Sequence, residues 1–328
     1  MLINRVSKDR VIHNADCTGC GLCAKNCPTK CISMEEGKLG HLYPVVNNDL
    51  CINCDLCVKK CPSNNDIILL YPLTAYAAWA KDENEYKSST SGGAASTLSR
   101  KIITDGGVVY GCAMLPNCEV QHIRIDHCNH LFQLKGSKYV QSTILNILPS
   151  IKEDVRFGTT VLFIGTPCQV AAVKSLFKEQ PSNLYLIDII CHGVPSLSVF
   201  KKYLTNKFGK TSFDKISFRK GSQNLLEIFD SGKKVYGAPH NKDLYYTLFM
   251  QGYTYRDSCH QCKYAQPKRV SDITIGDFWG LGKMGDCDIP DHKDGISVIL
   301  PITEKGENLI KIVSPELNIY SRPIGEAI

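Results

Sequence analysis

The sequence has 328 residues, with 38 Lys and Arg against 32 Asp and Glu, so its formal net charge is +6. Hydrophobic residues make up 43% and charged residues 21%, an ordinary globular composition that excludes disordered, collagen-like and low-complexity chains. No basic stripe with interleaved aromatic residues is present, which argues against a nucleic-acid partner. The length predicts two or three domains.

The 17 cysteines are the unusual feature of the composition. A chain of this length can build its own hydrophobic core and does not need disulfides in its place. Residues 1–16 contain charged side chains and no apolar core of a secretory signal, and no stretch approaches the ~18 apolar residues of a membrane span. We therefore expect a cytoplasmic protein without a membrane span, in which cysteines bind metals or act in catalysis.

Two runs near the start of the chain share the spacing C-x2-C-x2-C-x3-C-P, which is the bacterial ferredoxin signature for two 4Fe–4S clusters. In this arrangement the fourth cysteine of each run ligates the other cluster. The predicted ligands of the first cluster, called cluster I here, are Cys17, Cys20, Cys23 and Cys61. Those of the second, cluster II, are Cys51, Cys54, Cys57 and Cys27. Two zinc sites are the alternative, but they would leave half of these thiols unexplained.

The next segment leads into the main domain. Residues 71–90 include a polar stretch and are predicted to be a linker. Ser91, Gly92 and Gly93 begin a helix, and bare N–H groups at such a start suit a phosphate group. An apolar strand is predicted at 108–110.

The middle of the chain alternates strands and helices, as parallel α/β units do. Apolar runs at 160–164 and 184–190 are predicted strands, and each is followed by a helix. Cys168 and Cys191 come just after these strands, at the sheet edge where open α/β sheets bind ligands. Neighbouring strands are ~4.8 Å apart, so both thiols can share one metal site.

A further pair, Cys259 and Cys262, precedes a strand that begins at Asp272. Together with Cys168 and Cys191 these thiols are candidates for a third 4Fe–4S cluster. Structural zinc at the later pair is one alternative, and thiolate catalysis by Cys168 or Cys191 with His192 as base is another. The remaining cysteines have no assigned role and are predicted to be small core residues: Cys31, Cys112, Cys118, Cys128 and Cys287.

From about residue 70 to its end the chain resembles the beta-subunit family of coenzyme F420-reducing hydrogenase and F420-dependent formate dehydrogenase. The resemblance lies in five separated motifs in the right order: Ser91–Ser96, Gly136–Ser142, Gly165–Gln169, Cys191–Ser196 and Asp272–Gly280. Some members of this family continue past the point where this chain stops, so the C-terminus is expected to be incomplete.

The resemblance implies a flavoprotein with FAD and an extra 4Fe–4S cluster. It makes Ser91, Gly92 and Gly93 contacts of the FAD phosphate or ribose, and Lys138, Tyr139 and Gln141 residues of the flavin pocket, with Thr166 a further cofactor contact. A lysine near the flavin would stabilise negative charge on the reduced ring. Lys138, Gln169 and His192 are the catalytic candidates. The resemblance also favours Cys168, Cys191, Cys259 and Cys262 as ligands of the third cluster, although Asp272 or Asp277 can replace a cysteine.

The expected fold is a ferredoxin-like domain at 1–70, a linker at 71–90 and a mixed α/β (or α+β) flavin-binding domain at 91–328. The expected function is that of an iron–sulfur flavoprotein oxidoreductase. Its FAD exchanges hydride with coenzyme F420 or another small molecule, and its clusters exchange electrons with a ferredoxin or a partner subunit. Two alternatives stay open: a ferredoxin-dependent reductase of a sugar or polysaccharide intermediate, and a pure electron-transfer subunit.

Overall fold

A computed structural model of the chain describes residues 14–221, 223–285, 289–290 and 294–328. Its strands in this part are β1 (Ile32–Glu36), β2 (Leu42–Val46), β3 (Ala75–Ala80), β4 (Val108–Met114), β5 (Val120–Ile125), β6 (Val161–Gly165), β7 (Leu184–Ile189), β8 (Lys215–Lys220), β9 (Gln223–Asp230), β10 (Lys233–Pro239), β11 (Ile273–Asp277), β12 (Ser297–Pro301) and β13 (Leu317–Arg322). Its α-helices are α1 (Leu22–Asn26), α2 (Leu56–Lys59), α3 (Glu83–Lys87), α4 (Ala94–Thr104), α5 (Leu148–Arg156), α6 (Pro167–Lys174), α7 (Leu197–Phe208), α8 (Leu244–Met250), α9 (Asp257–His260) and α10 (Glu304–Val313). None of the helices described is long and apolar enough to cross a bilayer. Cys287 lies outside the described residues.

A mixed eight-stranded sheet forms the centre of the described molecule, in the order β13-β3-β12-β11-β7-β6-β4-β5. Strands β11, β7, β6 and β4 run parallel, and antiparallel strands flank them on both sides. The predicted strands at 160–164 and 184–190 are confirmed as β6 and β7, which are parallel neighbours with Gly165 opposite Asp188. The predicted mixed α/β fold is therefore confirmed.

Helices cover both faces of this sheet because apolar residues on its central strands alternate between the two faces. In β6, Val161 and Phe163 pack in one hydrophobic cluster with residues of α5 and α6. The intervening Leu162 packs in a second cluster with residues of α4 and α10. The resulting three layers place the ends of the parallel strands at one open edge, called here the carboxyl edge.

The predicted linker at 71–90 is wrong for most of its length. Strand β3 (Ala75–Ala80) lies inside the sheet, between β12 and β13, and its alanines are buried. Helix α3 follows, and Asp82 caps it by accepting a hydrogen bond from Glu85 N. The polar stretch is thus a capped helix start that directly follows a core strand.

Two smaller units attach to the sheet. The N-terminal cysteine region contains the β1–β2 hairpin and the short helices α1 and α2. A second unit has the antiparallel sheet β10-β9-β8, which packs with α7 and α8 around an aromatic core. The N-terminal unit shares a hydrophobic core with the sheet and its helices, because Leu22 is 0% exposed in the cluster that contains residues of α5 and α6.

Asp272 joins several segments by hydrogen bonds at the edge of the sheet opposite the carboxyl edge. Its buried carboxylate accepts hydrogen bonds from Gln180 Nε2 at 2.7 Å, Leu186 N at 2.9 Å and Thr303 Oγ1 at 2.8 Å. It precedes β11, whereas Cys168 and Cys191 follow their strands, so Asp272 lies at the wrong end of the sheet to replace a cysteine ligand. The prediction that Asp272 can replace a cysteine ligand of the third cluster is therefore wrong.

Asp272→Asn is expected to destabilise the fold by about 3 kcal/mol, because an amide cannot accept all the hydrogen bonds that the buried carboxylate accepts. Urea unfolding followed by circular dichroism measures the change. Asp105→Asn, which removes an exposed charge paired with Lys101, is the control and should change stability little. Loss of iron from Asp272→Asn without loss of stability would contradict this structural role.

Candidate functional site

The two cysteine runs fold as a true structural repeat with an offset of 34 residues, obtained as 51 − 17. Gly19 and Gly21 have φ of 70° and 72°, and the matching Asn53 and Asp55 have φ of 56° and 58°. The left-handed residues bend each loop around the space where its first three thiols meet. Helices α1 and α2 then begin at matching positions, Leu22 and Leu56.

Each loop encloses one cavity, and the fourth thiol comes from the other run. One cavity is lined by all four predicted ligands of cluster I, namely Cys17, Cys20, Cys23 and Cys61. The other is lined by all four predicted ligands of cluster II, namely Cys27, Cys51, Cys54 and Cys57. The donor set and its crossing pattern therefore fit two 4Fe–4S cubanes.

The two cavities differ in their surroundings. Cluster I lies against the body of the protein, where Leu22 is buried and Cys20 packs on the core beneath the sheet. Cluster II lies on the outside, where Cys54 is exposed and Ile52 and Leu56 are 62% and 40% exposed. Cluster I is thus the inner and cluster II the outer of the two.

Cys31 is buried, as a core residue would be, but it also lines the cavity of cluster II. Its Sγ lies 3.3 Å from Cys27 Sγ, a ligand of that cluster. Burial raises the pKa of the Cys31 thiol to about 11.

The four later cysteines come together between the N-terminal unit and the sheet. Cys168 is in the first turn of α6, Cys191 follows β7, and Cys259 and Cys262 lie in and just after α9. Burial raises the pKa of Cys168 above its usual range, and proximity to the other three thiols raises it further. Burial likewise raises the pKa of Cys191 to about 12, with Cys259 and Cys262 adding to the effect. Cys191, Cys259 and Cys262 therefore lie close enough to Cys168 to raise its pKa.

No three His, Cys, Asp or Glu side chains in the described ranges approach one another closely enough to hold one metal ion.

Tyr264 lies between this group and cluster I. It is 3% exposed, and its hydroxyl has no hydrogen-bond partner among the described residues. Burial raises the pKa of Tyr264 above its usual range, and Cys168, Cys20, Cys262 and Cys61 raise it further, in that order. An unpartnered buried hydroxyl is costly, and Tyr264 places one between two sets of thiols.

Of the motifs predicted to bind FAD, the one at Ser91, Gly92 and Gly93 lies at the carboxyl edge. Ser91 Oγ donates to Ile296 O at 2.9 Å, next to the ends of β3 and β11. The reason for Gly92 is close packing, because a Cβ there would overlap Ala78 O and lie 2.7 Å from Ser297 N. Gly93 adopts φ of 81° and caps α4, which leaves the first N–H groups of that helix at this edge.

Lys138 and Tyr139 have structural partners in the described part of the chain. Lys138 Nζ donates to Cys112 O at 3.0 Å, and to Leu134 O and Lys135 O at 2.8 Å each. Since an ammonium has three N–H donors, none is left for a flavin oxygen. The Tyr139 ring stacks on Phe249 at 4.9 Å between centroids, inside the aromatic core of the second small unit.

Gln141 faces the ferredoxin loops. Its Nε2 donates to Thr18 O at 3.0 Å, and its Oε1 lies 3.2 Å from His41 Nδ1. It therefore joins the cluster I loop to the body, and this contact differs from the flavin contact that the family resemblance implied.

Gln169 and Thr166 form a capping box at the start of α6, and Gln169 also donates to Ser142 O at 2.9 Å. Thr166 Oγ1 lies 3.2 Å from Cys168 Sγ and so orients that thiol. His192 is exposed, with Nε2 3.4 Å from Met250 O and its ring edge-on to Phe249 and Tyr255.

Sequence reasoning missed a second feature of the carboxyl edge. Trp279 is 68% exposed there, and the exposed Ile190 contacts the position of Gly276 on β11. Arg219 is ion-paired with Asp277, its guanidinium carbon lies 5.8 Å from the Trp279 ring centroid, and its buried Nε has no partner among the described residues. The carboxylate of Asp277 is thus ion-paired with Arg219 and not with the cysteine group. Only the Gly/aromatic turn after β11 signalled this region in the sequence.

Comparisons with known proteins agree with this arrangement. Residues 158–326 match the family model for the C terminus of the coenzyme F420 hydrogenase/dehydrogenase beta subunit, and residues 16–65 match the 4Fe-4S dicluster domain. Among solved structures, a chain of the F420-reducing [NiFe] hydrogenase complex from Methanosarcina barkeri is similar in fold, with a TM-score of 0.55 at 20% identity. The similarity covers 79% of this chain and 84% of that chain. No curated protein matches the sequence.

Gly92→Ala is expected to destabilise the protein by about 1–3 kcal/mol, because the added methyl overlaps the backbone of β3. Thermal unfolding measures this, with Gly237→Ala as the control, since a Cβ at Gly237 meets nothing closer than 3.7 Å. Normal stability with selective loss of a bound flavin would instead assign Gly92 to ligand contact alone.

Proposed function

Because the chain belongs to the family of coenzyme F420 hydrogenase and dehydrogenase beta subunits and is an iron–sulfur oxidoreductase, we propose that its clusters exchange electrons with an FAD that transfers hydride to or from coenzyme F420 or another small organic molecule. The order of the sites in space supports this proposal. Cluster II is outermost and cluster I lies inside it, and the group of four later cysteines lies next to cluster I, where β6 and β7 end at the carboxyl edge.

The third cluster in this path would be held by Cys168, Cys191, Cys259 and Cys262. Cys20 of cluster I and Cys168 and Cys262 of the later group all pack on the same hydrophobic cluster, which brings the two sites close together. The unpartnered Tyr264 hydroxyl lies between them. This arrangement supports direct electron exchange between the two clusters through a dry interior.

The FAD would bind at the carboxyl edge. The exposed side chains of Ile190 and Trp279 offer apolar surface, and the N-terminus of α4 offers N–H donors for an anionic group. A flavin supplies the step that cubanes lack, since it takes two electrons from a hydride and releases them singly. The residues of this chain supply the apolar surface and the donors that would position it.

The outer cluster suits exchange with another protein. Ile52 and Leu56 line the cavity of cluster II and expose apolar side chains there, and Cys54 is itself exposed. Electron-transfer partners bind through small interfaces, so a ferredoxin or a partner subunit is the proposed occupant. The similar chain in the hydrogenase complex is itself part of an assembly.

Anaerobically purified protein is expected to contain about twelve irons and one flavin per chain, the content of three 4Fe–4S clusters and an FAD. Cys259→Ala should lose about four irons and keep about eight, because the third cluster lacks a ligand. Cys128→Ala, a lone cysteine in the core, is the control and should keep all its iron. Eight irons and no flavin in the unchanged protein would favour a pure electron-transfer subunit.

Reduced protein mixed with oxidised coenzyme F420 is expected to bleach the absorbance of the deazaflavin, because hydride passes to its ring. Trp279→Ala should slow this step by removing apolar surface at the proposed flavin site, while Phe157→Ala, an exposed aromatic on α5's C-terminal side, should not. Full flavin content without bleaching would exclude coenzyme F420 as the substrate and favour another one, such as a sugar-pathway intermediate.

A further inference from the structure

Arg256 is the largest fully buried side chain of the described molecule, at 1% exposure. Its guanidinium reaches the loop of cluster I: Nε donates to Cys17 O at 2.5 Å, and Nη2 lies 3.5 Å from Cys17 Sγ. Nη2 also donates to Leu42 O at 2.6 Å, and the group lies 4.3 Å from the centroid of the Tyr43 ring. Arg256 thus contacts a predicted ligand sulfur of cluster I directly.

No carboxylate in the described ranges forms an ion pair with Arg256. The adjacent Asp257 is exposed, and its carboxylate accepts a hydrogen bond from Tyr43 OH at 3.2 Å. Gln141, on the other side, offers only a neutral amide oxygen at 3.4 Å. Burying an uncompensated cation costs several kcal/mol, so the site requires an anion that the side chains do not provide.

A 4Fe–4S cluster with four thiolates provides that anion. Its net charge is roughly −2 when oxidised and one unit more negative when reduced. Gly19, between two ligands of cluster I, leaves room for the cation, since a Cβ there would lie 2.7 Å from Arg256 Nη1.

The backbone of Arg256 is hydrogen-bonded to the loops that contain Cys191 and Cys259, two of the four later cysteines. Its N donates to Val194 O at 3.1 Å, in the loop after Cys191, and its O accepts from Cys259 N at 2.8 Å. One residue therefore has its charge at cluster I and its main chain in the ligand loops of the proposed third cluster.

We infer that Arg256 is the buried counter-charge of cluster I, and that it favours the reduced form of that cluster and so sets its potential within the electron path. When one electron enters the cluster no bond forms or breaks, and the fixed positive charge stabilises the added negative charge. This role deepens the proposed function, but it rests only on cluster I and not on the flavin or the third cluster.

The test is a redox titration of the anaerobically purified full chain, followed by electron paramagnetic resonance. The step that Cys17→Ser removes or alters identifies cluster I. In Arg256→Gln, the ratio of reduced to oxidised cluster I at a fixed potential should fall at least about tenfold, which is about 59 mV for one electron. Arg256→Lys keeps the charge and should stay closer to the unchanged protein than Arg256→Gln does.

Lys263→Gln is the matched control. Lys263 is a cation near the same cluster, close to Cys61, but it is exposed, so water screens its charge and the potential should change little. Equal shifts in Arg256→Gln and Lys263→Gln, or no shift in Arg256→Gln with the cluster present, would overturn the inference.

If Arg256→Gln does not retain cluster I, Arg256→Lys decides. A lysine variant that keeps the cluster supports the counter-charge, because lysine restores the charge without the fork of hydrogen bonds. Loss of cluster I from both variants would assign Arg256 to loop geometry and overturn the inference. Protein without flavin that still shows the Arg256-dependent shift would contradict the proposed flavin chemistry and leave this inference intact.

Discussion

The burial of Leu22 is the contact on which the arrangement of redox sites depends. This residue lies between Cys20 and Cys23, two predicted ligands of cluster I, and it is 0% exposed in the core beneath the sheet. Its side chain therefore fixes the cluster I loop to the same layer that holds α6 and Cys168. Since a dense core moves little, the spacing between the two sites is set by packing and not by a linker.

Two buried arginines, Arg256 and Arg269, differ in whether a carboxylate neutralises their charge. At the inner cluster the buried Arg256 faces the ligand loop and forms no ion pair with a carboxylate of the described residues, whereas the buried Arg269 is paired with Asp188 at 2.8 Å. An arginine that already has an acidic partner adds little net field, while an unpaired one acts fully on its neighbour. The protein thus concentrates uncompensated positive charge where thiolates and clusters supply the negative charge.

The sequence predicted the features that local pattern encodes. Ligand spacing identified eight of the nine cysteines that line the two cavities, and apolar runs located β6 and β7. It missed β3, since the alanine-rich run Ala75–Ala80 has weak strand propensity and only its burial between β12 and β13 makes it a strand. The sequence alone could not predict the hydrogen-bond partners of Gln141 and Arg256, because these bonds join positions more than a hundred residues apart.

The cysteine repeat itself holds information on which cluster is inner. Both loops use left-handed backbone at the same two positions, yet the first run has Gly19 and Gly21 where the second has Asn53 and Asp55. Asn and Asp tolerate this conformation, so the backbone alone does not require glycine. A Cβ at Gly21 would overlap Leu145, and one at Gly19 would strike Arg256, whereas Asn53 and Asp55 extend into solvent. Glycine in the first run therefore reflects the body packed against it, and the side chains of the second run mark a face that is exposed to solvent.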